Sequence, residues 1–325
     1  MLTGAPTGAV IVGVPPEHRD AGSEAERGSV RAPTWTDVRA RAGALLELTK
    51  PGITRMVVVT TAAGFYLGSA GQIDVVLLLH TLLGTALAAS GSSALNQYFE
   101  RVADARMVRT MNRPLPSGRL TPRVALRFAA GLAFAGVAWL FLFVNAPAAA
   151  LVAASVLSYV FVYTPLKRRT WLATVIGAVP GALPILVGWS AAAAPLDARA
   201  WTLFGILFLW QMPHFFALAW IYRQDYQRGG FRMLTASDET GKRTAAHIIA
   251  WAGALIAVSL LPSLLGLTGA TYLAGAAVLG TAFLALGIAL AAERSERRAW
   301  RLFFGSIAYL PALLVLMVVD KVPVY

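Results

Sequence analysis

Long stretches without Asp, Glu, Lys or Arg dominate the chain from Met56 onward. About 20 apolar residues span the hydrocarbon core of a bilayer, so each stretch is long enough for at least one membrane helix. The two longest, of 39 and 49 residues, each predict a pair of helices. Because the stretches lack the two-residue alternation of barrel strands, we predict an all-α membrane protein with nine transmembrane helices. The stretches are 56–73, 75–99, 128–166, 170–196, 200–222, 244–292 and 302–319.

Turn-forming residues interrupt both of the longest stretches. Asn145, Ala146 and Pro147 divide the first, and Gly266–Gly269 divides the second. The chain before the first stretch is different, because it is rich in Gly, Pro, Ala and mixed charge and has no helical periodicity. We therefore expect a disordered cytoplasmic tail over residues 1–45 and a single membrane domain over residues 46–325.

Composition and charge agree with this pattern. Hydrophobic residues make up 57% of the chain and charged residues only 14%, which is too few to cover a water-soluble surface. The net charge of +12 has a topological explanation, because 26 of the 28 Lys and Arg residues fall on one side of the nine predicted helices. Only Arg199 and Lys321 fall on the other side. We expect the basic side to be cytoplasmic, and no nucleic-acid partner is needed.

Acidic residues on the basic side are not part of that topological rule. Asn96, Glu100 and Asp104 recur every four residues, so they share one face at the end of the second predicted helix. Asp225 follows the sixth predicted helix on the same side of the membrane. Carboxylate and amide oxygens from two helix ends suit Mg²⁺, which completes its octahedron with water and phosphate oxygens.

Basic residues near these acids supply the other half of a phosphate site. Arg109 and Arg113 follow the first acidic row, and Lys167 and Arg168 follow the fourth predicted helix. Arginine binds phosphate through paired hydrogen bonds, and lysine acts as a point charge. The spacing leaves open a second interpretation, in which the acids only neutralise the basic loops.

Several segments of the chain resemble the UbiA-type superfamily of intramembrane prenyltransferases, and within it the branch that modifies haem. The NRPL and WQMPHF runs are typical of that branch. The similar segments are LTKPGITRMVVVTTAAGFYL (48–67), ALNQYFERVADARMVRTMNRPLPSGRL (94–120), YTPLKRRT (163–170), WQMPHFFALAWIYRQDY (210–226) and GGFRML (229–234).

The resemblance implies a reaction and a cofactor. It implies transfer of a farnesyl group from farnesyl diphosphate to the vinyl group of protohaem IX, giving haem O, with Mg²⁺ as cofactor. It also implies a multi-pass protein of the bacterial cytoplasmic (inner) membrane, with the lipid bilayer as a partner and with oxidase assembly proteins or haem A synthase as further candidate partners.

The same resemblance assigns roles by position. It makes Asn96, Glu100, Asp104 and Asp225 the metal ligands. It makes Asp104, Asp225 and Lys167 the catalytic residues. The diphosphate-binding residues that it implies are Arg109, Arg113, Lys167 and Arg168.

The chain departs from the family pattern within both acidic segments. Relatives of the haem branch usually carry Asp at the positions of Glu100 and Val102. Val102 lies about 200° round the helix from Glu100, so the missing acid falls outside the face defined above. Gly229 and Arg232 replace the usual Ala and Pro of the second segment. We expect these departures to weaken metal binding.

Among the four histidines, His214 is the strongest candidate for a functional role. It lies within the sixth predicted helix, and ionisable residues inside a membrane are functional candidates by default. We hypothesise that it contacts the haem, as an iron ligand or as a propionate partner. Hydrogen bonding to a neighbouring helix is the structural alternative.

Two other functions stay open. One is prenyl transfer to a different acceptor, such as an aromatic ring or chlorophyllide, because the diphosphate machinery does not select the acceptor. The other is transport, which predicts polar groups near the midplane of several helices. The concentration of acids at one membrane face disfavours transport.

Overall fold

The computed structural model describes residues 35–322. Within that range the protein is helical, and its only β interaction is an isolated bridge between Thr268 and Lys321. The predicted all-α fold is therefore confirmed. The helices are α1 (Trp35–Leu48), α2 (Pro51–Gly68), α3 (Val75–Asp104), α4 (Pro122–Phe143), α5 (Ala146–Leu166), α6 (Ala173–Ala191), α7 (Ala198–Ile221), α8 (Arg223–Arg228), α9 (Leu234–Ser237), α10 (Lys242–Leu264), α11 (Ala270–Ala292) and α12 (Glu296–Val319).

Eight helices in the described part of the chain are long and apolar enough to cross a membrane. They are α3 to α7 and α10 to α12. The first predicted span corresponds to α2, which has 18 residues and includes Arg55 and several threonines. Because α2 is not one of the eight, the count of nine spans stays a prediction.

Both predicted breaks lie between helices. Asn145 accepts a hydrogen bond from the Ala148 backbone N–H at 2.8 Å and so caps the start of α5. Its side-chain amide also donates to the Ser190 carbonyl oxygen at 2.9 Å, which joins this turn to the end of α6. At the second break, Gly266 adopts a left-handed backbone conformation with φ of +70° directly after α10.

Helix α1 lies partly within the region predicted to be a disordered tail. Residues 1–34 of that tail lie outside the described part of the chain, but Trp35–Leu48 is helical. Contacts distant in sequence explain the difference. Leu48 is fully buried, its carbonyl oxygen accepts a hydrogen bond from Gln97 at 2.9 Å, and Glu47 forms an ion pair with Arg119 at 2.8 Å. Helical structure thus begins ahead of the boundary drawn at residue 45.

The long helices form two connected groups. One group contains α2 to α6 and the other contains α7 and α10 to α12, and the α6–α7 and α2–α12 contacts join them. Helices α2 and α6 approach each other closely. A Cβ atom on Gly188 would lie 1.9 Å from the Thr61 carbonyl oxygen, and one on Gly64 would lie 2.0 Å from that of Ile185. Small residues at these positions let the two backbones touch.

Lys321 joins the ends of α2 and α12. Its Nζ atom donates to the carbonyl oxygens of Tyr66 and Ser69 at 2.6 and 2.7 Å. These carbonyls belong to the C-terminal end of α2, where the helix dipole favours a cation. Because the long helices alternate in direction, the loops after α3, α5, α7 and α11 lie at the opposite end of the bundle.

Candidate active site

The last three turns of α3 present the predicted acidic row to the protein interior. Asn96, Glu100 and Asp104 are 1%, 5% and 1% exposed. Val102, on the other side of the same helix, is 55% exposed. The four-residue spacing therefore places all three polar side chains on the buried face, as predicted from the helical period.

Each member of this row contacts a basic side chain. Lys50 donates to Asn96 Oδ1 at 3.0 Å, and Arg113 forms an ion pair with Asp104 at 2.8 Å. Glu100 forms an ion pair with Lys167. The basic residues come from three separate segments of the chain, which converge on the end of α3.

Lys50 is a site residue that the distribution of charge along the sequence does not distinguish from the other cytoplasmic basic residues. It adopts a left-handed backbone conformation with φ of +48°, directly before Pro51 at the start of α2. Such strain in a non-glycine residue is typical of functional sites. Burial, and after it the charge of Arg113, lowers the pKa of Lys50 to about 7. The signal in the sequence was its place within the LTKPG segment.

Lys167 follows a local distortion of α5. Residues Ser158–Tyr163 form a π-helical turn, a feature that often marks functional sites. The Lys167 Nζ atom lies 4.6 Å from the centre of the Tyr163 ring and 5.2 Å from that of Phe231. Burial disfavours the charged ammonium, but the Glu100 carboxylate outweighs burial and raises the pKa of Lys167.

Asp225 joins the segment after α7 to the loop after α3. It lies in α8 and is 9% exposed. Its carboxylate accepts hydrogen bonds from the backbone N–H groups of Val108 and Arg109 at 3.3 and 3.1 Å, and it pairs with Arg228 at 3.2 Å. The loop after α3 is thus held against the segment after α7.

The remaining predicted phosphate-binding residues lie at the surface of the same end. Arg109 and Arg168 are both exposed. The Arg109 guanidinium lies 4.8 Å from the centre of the Tyr222 ring, an arrangement that supports cation–π attraction. Arg113 is less exposed than either, because Asp104 holds it inward. The basic residues therefore extend from the buried acidic row to the surface.

The donor atoms fit a hard cation such as Mg²⁺. Asp104 Oδ1 is buried and has no hydrogen-bond partner among residues 35–322, although its other oxygen binds Arg113. Asn96, Glu100 and Asp225 supply further oxygens, the ligand type that Mg²⁺ prefers. Within the described residues, no three acidic or histidine side chains are already close enough to hold an ion. A metal would therefore require some of these side chains to change partners.

His214 belongs to α7, and its side chain contacts α12. Its Nδ1 atom is 2.7 Å from Ser306 Oγ, and its ring stacks on Trp210 and Phe303 with centroid distances of 5.2 and 4.8 Å. The contact with Ser306 is the hydrogen bond to a neighbouring helix that was the structural alternative to haem binding. The residue is partly buried rather than fully enclosed.

Comparisons with known proteins place this geometry in a family. The model of the UbiA prenyltransferase family matches residues 57–309. A protoheme IX farnesyltransferase from Solibacter usitatus is 46% identical over 285 residues, covering 85% of this chain and 98% of that protein. One from Salinibacter ruber is 46% identical over 275 residues, covering 85% and 97%.

Solved structures share the fold at low sequence identity. A digeranylgeranylglyceryl phosphate synthase superimposes with a TM-score of 0.73 and 19% identity, covering 86% of this chain and 98% of that one. A UbiA homologue from Archaeoglobus fulgidus, solved with GPP and Mg²⁺, gives a TM-score of 0.62 and 13% identity, covering 84% and 99%.

Proposed function

Because the chain belongs to the UbiA prenyltransferase family, we propose that it transfers a farnesyl group from farnesyl diphosphate to the vinyl group of protohaem IX, producing haem O. The similarity to two proteins named protoheme IX farnesyltransferase supports the choice of donor and acceptor. The observation that carries the proposal is the buried row of Asn96, Glu100 and Asp104, which faces Lys50, Lys167 and Arg113.

The basic residues bind the diphosphate of the donor. Arg109 and Arg168 meet it at the surface, and Arg113 and Lys167 bind it deeper in the site. Asn96, Glu100, Asp104 and Asp225 would hold a Mg²⁺ ion, which would supply positive charge to the diphosphate. The farnesyl C1–O bond breaks and the diphosphate departs with the electron pair, so negative charge grows next to Lys167 and Arg113. Positive groups bound to the departing diphosphate lower the barrier.

The carbon chemistry takes place beside these charges. The terminal vinyl carbon of the haem forms a bond to farnesyl C1, and the other vinyl carbon becomes cationic. Water adds to that carbon and loses a proton, which leaves a hydroxyethylfarnesyl group. Tyr163, next to Lys167, offers an aromatic face that stabilises cationic character in the farnesyl chain.

On the acceptor side, we assign His214 a contact with the haem. Its partly buried ring lies on α7, the helix that precedes the Asp225 segment. The protein then works in the bacterial inner membrane, with the basic end of the bundle facing the cytoplasm, since that orientation follows from the distribution of Lys and Arg. Oxidase assembly proteins or haem A synthase would receive the product.

The test is a reaction with purified components. Full-length protein in detergent is incubated with protohaem, farnesyl diphosphate and Mg²⁺, and the haem fraction is analysed by mass spectrometry. We expect a farnesylated, hydrated haem that is absent when EDTA replaces Mg²⁺. No product under conditions in which the Solibacter usitatus relative forms it would refute the proposed acceptor, and an aromatic or chlorophyllide acceptor would then be tried.

A further inference from the structure

Internal cations bind the oxygens that the proposed metal would need. Lys50 contacts Asn96, Lys167 contacts Glu100, and Arg113 contacts Asp104. Lys50 lies directly before α2 and Lys167 directly after α5, and Lys167 is only 7% exposed. A metal ion and these basic groups therefore compete for the same oxygens.

We propose that Lys50, Lys167 and Arg113 exchange partners when the site fills: they leave the acidic row and bind the diphosphate as Mg²⁺ takes their place. This inference rests on the proposed function and adds Lys50 to the diphosphate-binding residues. The three basic groups are internal counter-ions before the substrate arrives and substrate ligands afterwards.

Charge balance explains why the exchange needs both ligands. Three basic groups and two carboxylates leave at most one excess positive charge in this cluster, because the lowered pKa of Lys50, about 7, leaves it partly neutral near pH 7. One Mg²⁺ alone adds two more positive charges, which raises the excess to at most three and is unfavourable in a region shielded from water. A diphosphate monoester carries about three negative charges near neutral pH and cancels that excess. The metal and the diphosphate therefore bind well together, and each binds poorly alone.

The exchange predicts opposite effects of one substitution on two affinities. Lys167→Met removes a competitor for Glu100, so the variant binds a metal ion alone more tightly. The same change removes a diphosphate ligand, so the variant binds the donor more weakly. For Lys50→Met we expect the same two effects, tighter binding of the metal alone and weaker binding of the donor, because Lys50 competes for Asn96. This variant leaves an unpaired neutral amide rather than an unpaired buried carboxylate, so it is less disruptive to folding.

Binding of Mn²⁺ and of farnesyl thiolodiphosphate, an unreactive donor analogue, tests the proposal in full-length detergent-solubilised protein. Loss of the free Mn²⁺ electron paramagnetic resonance signal gives the affinity for the metal alone, and calorimetry at saturating Mn²⁺ gives that for the analogue. For both lysine variants we expect Mn²⁺ affinity to rise, and analogue affinity to fall, by at least about fivefold, the lower end of usual couplings between ligands.

Lys242→Met is the matched control, because Lys242 is exposed at the same end of the bundle, at the start of α10. It removes the same charge, so it reports any general electrostatic effect. Unchanged Mn²⁺ affinity in folded Lys50→Met protein, or a rise equal to that in Lys242→Met, would overturn the exchange. Formation of farnesylated haem by the wild-type protein is measured separately, so failure of the exchange is distinguishable from failure of the proposed function.

Discussion

Asp225 accepts a hydrogen bond from the backbone N–H of Arg109 at 3.1 Å, across 116 residues of sequence. The acid therefore holds the loop after α3 in addition to any part in metal binding. For Asp225→Asn we expect turnover to fall by about 10- to 100-fold, since hydrogen bonds to charged groups contribute about 1.5–3 kcal/mol. Initial rates and thermal unfolding would be compared, and the unfolding temperature should fall by only a few degrees because Asn keeps one of the two acceptors. Full activity would remove Asp225 from the site.

Substitutions at Val102 and Glu100 test which departures from the family pattern affect metal binding. Because Val102 is exposed on the far side of α3, Val102→Asp should change metal affinity and rate by less than about twofold. Glu100→Gln, on the buried face, should abolish most of the activity. Metal titrations and product formation measure both variants. A clear gain in metal affinity for Val102→Asp would mean that α3 rotates when the site fills.

His214 and Ser306 allow the haem contact to be separated from helix packing. We expect His214→Ala to weaken protohaem binding by about fivefold, because one hydrogen bond of average strength contributes about 1 kcal/mol. Binding of the farnesyl diphosphate analogue should stay unchanged. Ser306→Ala removes the hydrogen bond at Nδ1 but keeps the ring, so its effect should be smaller. Absorption titrations with haem measure both variants, and equal losses would reduce His214 to a packing role.

Asp238 stabilises the start of α10 away from the site. Its Oδ2 atom accepts hydrogen bonds from the Thr244 backbone N–H at 2.7 Å and from the Thr244 hydroxyl at 2.8 Å. Burial acts in the opposite direction, but these hydrogen bonds outweigh it and lower the pKa of Asp238. Asp238→Ala should therefore cost about 0.5–2 kcal/mol of stability at neutral pH.

The stabilisation from Asp238 should depend on pH. A lowered pKa in the folded state stabilises the protein above the unfolded value of about 3.9, and this contribution is lost as the pH falls through the folded value. The difference between wild type and Asp238→Ala should thus shrink in acid. Thermal unfolding in detergent across this range measures it, and a constant difference would contradict the assignment.

Gly188 and Gly253 form a matched pair for helix packing. A Cβ on Gly188 would meet the Thr61 carbonyl oxygen, whereas one on Gly253 would meet no atom within 4 Å. Gly188→Ala should destabilise the protein by about 1–3 kcal/mol, because α2 and α6 must separate. Gly253→Ala should be neutral or stabilising by up to about 1 kcal/mol. The order of the two unfolding temperatures checks this, and equal values would contradict the close packing of α2 on α6.

Local sequence patterns predicted the all-α fold and the two breaks between helices. Asn145 and Gly266 mark real helix ends because capping and left-handed backbone are properties of single residues. Helix α1 escaped prediction because Leu48 and Glu47 are held by contacts with Gln97 and Arg119, far away in sequence.

The sequence predicted the residue types of the candidate site, but not all of the contacts between them. The helical period placed Asn96, Glu100 and Asp104 on one face. The sequence did not indicate that Lys50 would reach Asn96, because that contact depends on the path of the chain between α1 and α2. Nor did it predict that Asp225 would bind backbone N–H groups of a remote loop.

The contact between α2 and α12 forms late during synthesis of the chain. Lys321 lies 255 residues after Tyr66, whose carbonyl oxygen it binds. At about 5–20 residues per second, a ribosome needs on the order of 10–50 s to produce the second helix after the first. For that interval one flank of α2 lacks its final neighbour. The contact between α2 and α12 therefore forms only after α12 has been synthesised, and slower elongation prolongs the exposure of that flank.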